Sequence, residues 1–244
     1  MIRVRPGPGH VRVTLERPER RNTIDEAFLD ELSAALTEAE ARADCRVVVL
    51  SATGEDFCAG MDLDTSHLDA GEGELPYWRL LERLATTELV TVAAVDGAAT
   101  AGGVGLAAAC DMVLAGRSAT FRLTEALFGL VPAMALPFVA RRVGEQRAFT
   151  ATLTAEEFDA QAAVETGLAD QTAPTAEELV RPLLVKLRRV DRDTVAAVKS
   201  YRSTVFPRPA ELGAVVSRAF LDRLAQPDVQ RNMADLKRAL GGLP

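Results

Sequence analysis

Two histidines, His10 and His67, are the only imidazoles in this 244-residue chain, and that scarcity narrows its chemistry. A Ser-His-Asp triad would have to recruit one of them, and no G-x-S-x-G elbow is present to hold a serine. His10 falls in an alternating apolar and polar stretch and reads as a surface position, while His67 stands at the edge of an acidic segment. No set of His, Cys or carboxylates has ligand spacing, so no metal is expected. The three cysteines, Cys45, Cys58 and Cys110, are odd in number and read as small buried hydrophobes. "GGVG" (102–105) is neither G-x-G-x-x-G nor a phosphate loop, because no Gly-Lys-Ser/Thr follows.

What remains is the backbone itself. "FCAGMD" (57–62) and "AGGVG" (101–105) each place small residues where a strand gives way to a helix. The first N–H groups of a helix have no partner within it. Glycine there permits unusual φ values and close approach of a ligand. Two such turns facing each other would aim two donors at one oxygen, an arrangement worth about 3 kcal/mol per donor in a transition state. The same glycines would also serve tight packing of a helix on a strand, and either turn alone does not separate the two readings.

The surrounding elements must supply the placement. "HVRVTLE" (10–16) alternates as a half-buried strand, and Pro18 closes it. Thr23 and Glu26 form a capping box with Thr23 as N-cap, followed by Phe28, Leu32, Ala35, Leu36 and Ala39 at helical spacing. "RVVVLS" (46–51), "TVAAV" (91–95) and "DMVLA" (111–115) are continuous runs suited to strands covered on both faces. Their alternation with helical segments predicts right-handed βαβ crossovers and a largely parallel sheet. "LDAGEGELP" (68–76) reads as a mobile surface loop. From about residue 134 the strand signal nearly vanishes. Leu212, Val215, Val216, Ala219 and Phe220 form one helical stripe; Val229, Met233, Leu236 and Leu240 form another, opened by Pro227 and stopped by Gly241. Stripes this apolar must pack on the core or on another subunit.

Composition bounds the rest. A length of 244 residues suits one domain with a helical appendage. A net charge of −7 argues against nucleic acid as a main partner. No apolar run approaches the ~18 residues of a membrane span. The opening "MIRVRPGPGH" lacks the apolar core of a signal peptide, so a cytoplasmic chain is expected.

Four segments then carry a resemblance. "LERPERRNTIDEAFLDEL" (15–32), "FCAGMD", "VDGAATAGGVGLAAACD" (95–111) and "FRLTEALFGLVP" (121–132) follow the order and spacing of the crotonase (enoyl-CoA hydratase/isomerase) superfamily, over nearly the whole chain. The resemblance implies an α/β fold of stacked ββα turns over residues 1–190, with a helical trimerisation region over 191–244. It implies a homotrimer or a pair of stacked trimers, no cofactor, and substrates carried as coenzyme A or carrier-protein phosphopantetheine thioesters that pass through an enolate. Carried onto this chain, the oxyanion donors are the N–H groups of Met61 and Gly102.

Hydratases that this chain resembles commonly hold two glutamates. One matches Gly105 here, so that carboxylate is lost; the other matches Glu125, whose burial would raise its pKa and suit it to proton transfer. A single base serves double-bond isomerisation, or dehydration through an enolate. "TEALFGLVPAMALPFVARRVG" (124–144) most resembles the dehydratases of polyketide β-branching, which convert a 3-hydroxy-3-methylglutaryl group on an acyl carrier protein to 3-methylglutaconyl. The alternatives are a Δ3,Δ2-enoyl-CoA isomerase or hydratase, and an inactive scaffold of the same fold. Thr100, His67 and Tyr77 are candidates to hold the distal carboxylate, and Arg141, Arg142 and Arg147 candidates to dock an acidic carrier.

Overall fold

The computed structural model describes residues 1–62 and 73–239, excluding the side chains of 236–239. Its organising unit is a long strand, a short strand and a helical segment, repeated three times. The first repeat is β3 (Val47–Ala52), β4 (Asp56–Cys58) and α2 (Pro76–Thr86). The second is β5 (Val90–Val95), β6 (Ala98–Thr100) and α3 (Gly102–Ala109). The third is β7 (Met112–Gly116), β8 (Thr120–Arg122) and a 3-10 turn (Glu125–Phe128) that leads to α4 (Leu136–Val143). The long strands pair in parallel in the order β3-β5-β7, and the short ones in parallel in the order β4-β6-β8. These are the stacked ββα turns of the crotonase fold.

Short flanking strands complete both sheets. β1 (Ile2–Gly7) and β2 (His10–Leu15) form an antiparallel hairpin, with β2 parallel to β3. Beyond α5 (Glu145–Thr154), β9 (Glu157–Asp159) pairs antiparallel with β8; beyond α6 (Ala160–Thr166), β10 (Gln171–Ala173) pairs parallel with β7 to end a six-stranded sheet. Three residues are too few to display a period, which is why neither β9 nor β10 stands out in the sequence. The continuous apolar runs are covered on both faces as their composition predicts. Val47, Val49, Val92 and Leu114 meet Val180 of α7 (Ala176–Leu187) and Val195 of α8 (Arg192–Val205).

The helix α1 (Glu26–Ala41) buries the predicted stripe of Phe28, Leu32, Ala35, Leu36 and Ala39, but its cap differs from the expected Thr23. Asp25 is the N-cap, its carboxylate accepting from the Phe28 N–H at 2.8 Å. The reason lies one residue earlier. Ile24 is held in a parallel bridge to Met61, so the chain is still extended there and no helix can open at Thr23. Leu75, within the segment expected as surface loop, is buried, and its N–H donates to Ser217 Oγ at 2.9 Å.

Every residue of α3 is buried, and both ends are specified. At its first turn a β-carbon on Gly103 would stand 2.0 Å from the carbonyl oxygen of Cys58, so only glycine lets α3 rest on β4. At its last turn Arg141 donates to Ala108 O at 2.9 Å, and Arg142 to Cys110 O at 2.9 Å and Asp111 O at 3.1 Å, which suits the negative end of a helix. Beyond it, Lys199 of α8 meets Asp111 at 2.6 Å in a largely buried pair.

The last helices are α9 (Leu212–Leu224) and α10 (Pro227–Ala239). Val216, Phe220, Val229 and Met233 turn inward and join the core of the same chain, whereas Val215 is exposed. No helix among the described residues is long and apolar enough to cross a membrane. A Gly103→Ala substitution should destabilise the fold by about 3 kcal/mol through overpacking against the Cys58 carbonyl, measured as a lowered urea midpoint.

Candidate active site

Three parallel short strands end side by side, and each hands one residue to the same cavity. Past β4 comes Met61, past β6 comes Gly102, and past β8 comes Glu125. All three line a cavity of about 470 Å³ together with Tyr77, Thr100, Leu130, Met134 and, from α9, Phe220. Ligands collect at the carboxyl ends of parallel strands because the loops diverge there and leave helix N-termini uncovered.

The backbone geometry explains which amides are free. In the parallel bridge with Met61, Ile24 makes both hydrogen bonds: its N–H donates to Gly60 O at 2.9 Å, and its carbonyl accepts from Asp62 N–H at 2.8 Å. Met61 therefore directs its own N–H away from Ile24. On the facing side, Gly102 is the first residue of α3, where an N–H has no intrahelical acceptor. A β-carbon built on Gly102 would stand 3.5 Å from Met61 N, and one on Gly60 would stand 3.2 Å from Gly102 N, so the two turns are in contact. Gly60 has φ +92°, and Ala101 is held at φ +50°, ψ −120°, a region that an alanine rarely adopts. Strain of this kind costs on the order of 1–3 kcal/mol and collects at functional turns. Here it sets the direction of the following amide.

Glu125 opens the 3-10 turn, which Gly129 closes in the left-handed region. Its Oε2 is buried and has no hydrogen-bond partner among the described residues. Burial pushes the carboxyl up to about 7 from 4.5, while the neighbouring backbone amides pull the other way. The turn is braced from the C-terminal helices, where Arg223 donates to Gly129 O at 2.7 Å.

The other sequence candidates separate. Thr100 is half-buried on the cavity wall. Tyr77 also lines the cavity, but its hydroxyl donates to the carbonyl of Gly102 and is committed to the backbone. His67 lies outside the described residues. Arg141 and Arg142 spend their guanidinium groups on the end of α3, away from the cavity, and Arg142 also meets Asp170 at 3.2 Å. Arg142 is therefore structural rather than a solvated docking charge. Arg147 is exposed. Gly105, where the resemblance removes a glutamate, has no room for one: a β-carbon there would stand 2.7 Å from the Ala135 methyl and 2.9 Å from the Tyr77 hydroxyl.

Some of the site is absent from the sequence reading. Phe220, Leu130 and Met134 form apolar wall, and nothing in their local pattern separates wall from core. Arg20 lines the cavity too, bridging Asp25 at 3.0 Å and Asp62 at 2.8 Å. Its only sequence signal is its place in "ERPERRN".

The raised Glu125 pKa has a consequence for stability. Between about pH 4.5 and 7 the folded chain keeps a proton that the unfolded chain has released, so this group's contribution is present in acid and lost as pH rises through 7. Urea unfolding at pH 5 and pH 8 should show the stability of the wild type falling by about 2–3 kcal/mol relative to Glu125→Gln across that interval.

Known proteins share this arrangement of chain. A family model for enoyl-CoA hydratase/isomerase matches residues 8–219. The bacillaene synthase dehydratase PksH of Bacillus subtilis (strain 168) is 34% identical over 224 residues, covering 89% of this chain and 86% of PksH. The crystal structure of PksH from Bacillus subtilis superposes with a TM-score of 0.89 at 33% identity, covering 99% of this chain and 97% of that one. An enoyl-CoA hydratase from Mycobacterium avium gives a TM-score of 0.88 at 28% identity, covering 98% and 96%. The chain belongs to the enoyl-CoA hydratase/isomerase (crotonase) family, whose enzymes hydrate or dehydrate acyl thioesters.

Proposed function

We propose that this enzyme dehydrates a 3-hydroxy-3-methylglutaryl thioester, carried on the phosphopantetheine arm of an acyl carrier protein, to the 3-methylglutaconyl thioester of polyketide β-branching. The observation that carries the reading is the carboxylate of Glu125, its Oε2 buried and unpartnered among the described residues, sharing one cavity with Met61 and Gly102 while position 105 has no room for a carboxylate. The 34% identity to a dehydratase of bacillaene synthesis supports dehydration as the reaction.

The steps balance on this chain's own groups. The thioester oxygen accepts from the N–H groups of Met61 and Gly102. Glu125, as carboxylate, takes a proton from C2, and the electron pair moves onto the thioester oxygen as an enolate held by those two donors. The enolate then collapses, C2=C3 forms, and the C3 hydroxyl leaves as water with the proton that Glu125 took. The carboxylate is restored, and no cofactor or metal enters. A carboxyl near pKa 7 both accepts and returns a proton readily at neutral pH. Thr100 presents its hydroxyl as a donor to the distal carboxylate, and exposed Arg147 offers charge to an acidic carrier. The homotrimer forms through the C-terminal helices, where Tyr201, Val205, Phe206 and Val215 expose apolar surface.

Incubation with 3-hydroxy-3-methylglutaryl carrier protein should produce an 18-dalton loss by intact-protein mass spectrometry, with kcat/KM rising with pH to a plateau above about 7. Glu125→Gln should lower turnover at least about 100-fold and leave thioester binding intact. Conversion of a 3-enoyl-CoA without that loss would identify an isomerase, and indifference to Glu125→Gln would identify a scaffold. Light scattering of the purified protein should give a particle of three chains.

A further inference from the structure

We infer that Tyr77 is a positioning residue for the oxyanion pair, the brace that keeps the strained Ala101–Gly102 turn aimed at the thioester. This rests on the reading of Met61 and Gly102 as oxyanion donors, but not on the identity of the acyl group.

Three observations converge on the Tyr77 hydroxyl. First, it donates to the carbonyl of Gly102, the residue whose N–H faces the cavity. Second, it fills the space beside Gly105, within 2.9 Å of where a β-carbon would stand, so phenol and glycine are complementary and a larger side chain at 105 would expel it. Third, the phenol is buried at 2% exposure, and burial, with smaller contributions from Cys58 and Glu125, pushes its pKa well above the usual tyrosine range, so it remains a neutral donor.

The physical need for a brace is local. Ala101 sits at φ +50°, where an L side chain is strained and relaxation would rotate the peptide that carries Gly102 N–H. The residues N-terminal to α3 offer no side-chain cap to fix that turn. A hydrogen bond to the Gly102 carbonyl anchors the next peptide plane instead, and α2 carries the donor on a helix packed into the core. Preorganised donors stabilise developing charge because they need not reorient as it appears. Tyr77 thus acts on the transition state through Gly102 without touching substrate protons.

The test uses Tyr77→Phe, which keeps the ring and its packing, and acetoacetyl-CoA, whose bound enolate absorbs in the near ultraviolet. The variant should bind acetoacetyl-CoA with an affinity within about twofold of wild type while the enolate fraction falls about tenfold, the scale of one lost hydrogen bond. Measured below the variant's melting transition, kcat on the natural thioester should fall by a similar factor with KM unchanged, and the pH-rate limb near 7 should stay in place. An unchanged enolate fraction overturns the proposal, as does loss or displacement of that pH limb, which would make Tyr77 a proton carrier. A wild type that forms no enolate overturns the oxyanion reading and the brace with it. A wild type that forms the enolate, loses it in Tyr77→Phe, yet does not dehydrate 3-hydroxy-3-methylglutaryl carrier protein leaves the brace standing and removes only the assignment of acyl group.

Discussion

Parallel pairing of three short strands is the constraint on which this molecule turns. β4, β6 and β8 are only three residues long, yet their shared direction brings three loop openings to one edge. An antiparallel partner between them would send one of those loops to the opposite end of the sheet. Parallel neighbours need crossovers, and the long strands β3, β5 and β7 with their helices supply them. The larger sheet can be read as the scaffold that keeps the smaller one in register.

That register makes steric demands which the chain meets with small residues. Gly103 allows α3 to touch the Cys58 carbonyl, Gly60 turns the chain at positive φ beside Gly102, and Gly105 admits the Tyr77 hydroxyl. Ala101 is the exception, a residue with a β-carbon in a conformation suited to glycine. Its strain is sustained because α3 is fixed at both ends, by close packing at the first turn and by Arg141 and Arg142 on the last carbonyls. A fully buried helix with no polar side chain of its own depends on neighbours for both caps.

Much of this was legible in the residues, for identifiable reasons. The continuous runs at 46–51 and 91–95 announced strands covered twice, because burial on both faces favours them. The stripe on α1 was readable from its period, but its cap was not: the bridge between Ile24 and Met61 is a tertiary contact that overrides a local capping signal. β9 and β10 were invisible because three residues cannot show alternation. The arginines of α4 read as candidates to dock a carrier, because nothing nearby in sequence marks their acceptors, which are carbonyls about thirty residues away. Motif order singled out Glu125 and the two amides as candidates, and the three positions line one cavity, whereas the engagement of Tyr77 with Gly102 depends on how α2 packs against α3 and leaves no trace in either segment alone.

The same packing decides which way proton chemistry can run. A carboxylate whose pKa is raised by an apolar wall, with no charged neighbour contributing to the shift, is half-protonated near neutrality. Position 105 has no room for a carboxylate, since a β-carbon there would stand 2.7 Å from the Ala135 methyl and 2.9 Å from the Tyr77 hydroxyl, so no like charge from that position acts on Glu125. The neutral phenol of Tyr77 stands beside that position instead, so no second charge is introduced there. On the proposed reading Glu125 takes a proton and gives it back within a single turnover, and this favours reactions in which the proton removed and the proton delivered are the same. Loss of water across C2 and C3 on one face is such a reaction, and so is an allylic shift. On the proposed reading of Glu125 as the proton carrier, the contents of position 105 separate hydration by two groups from elimination by one.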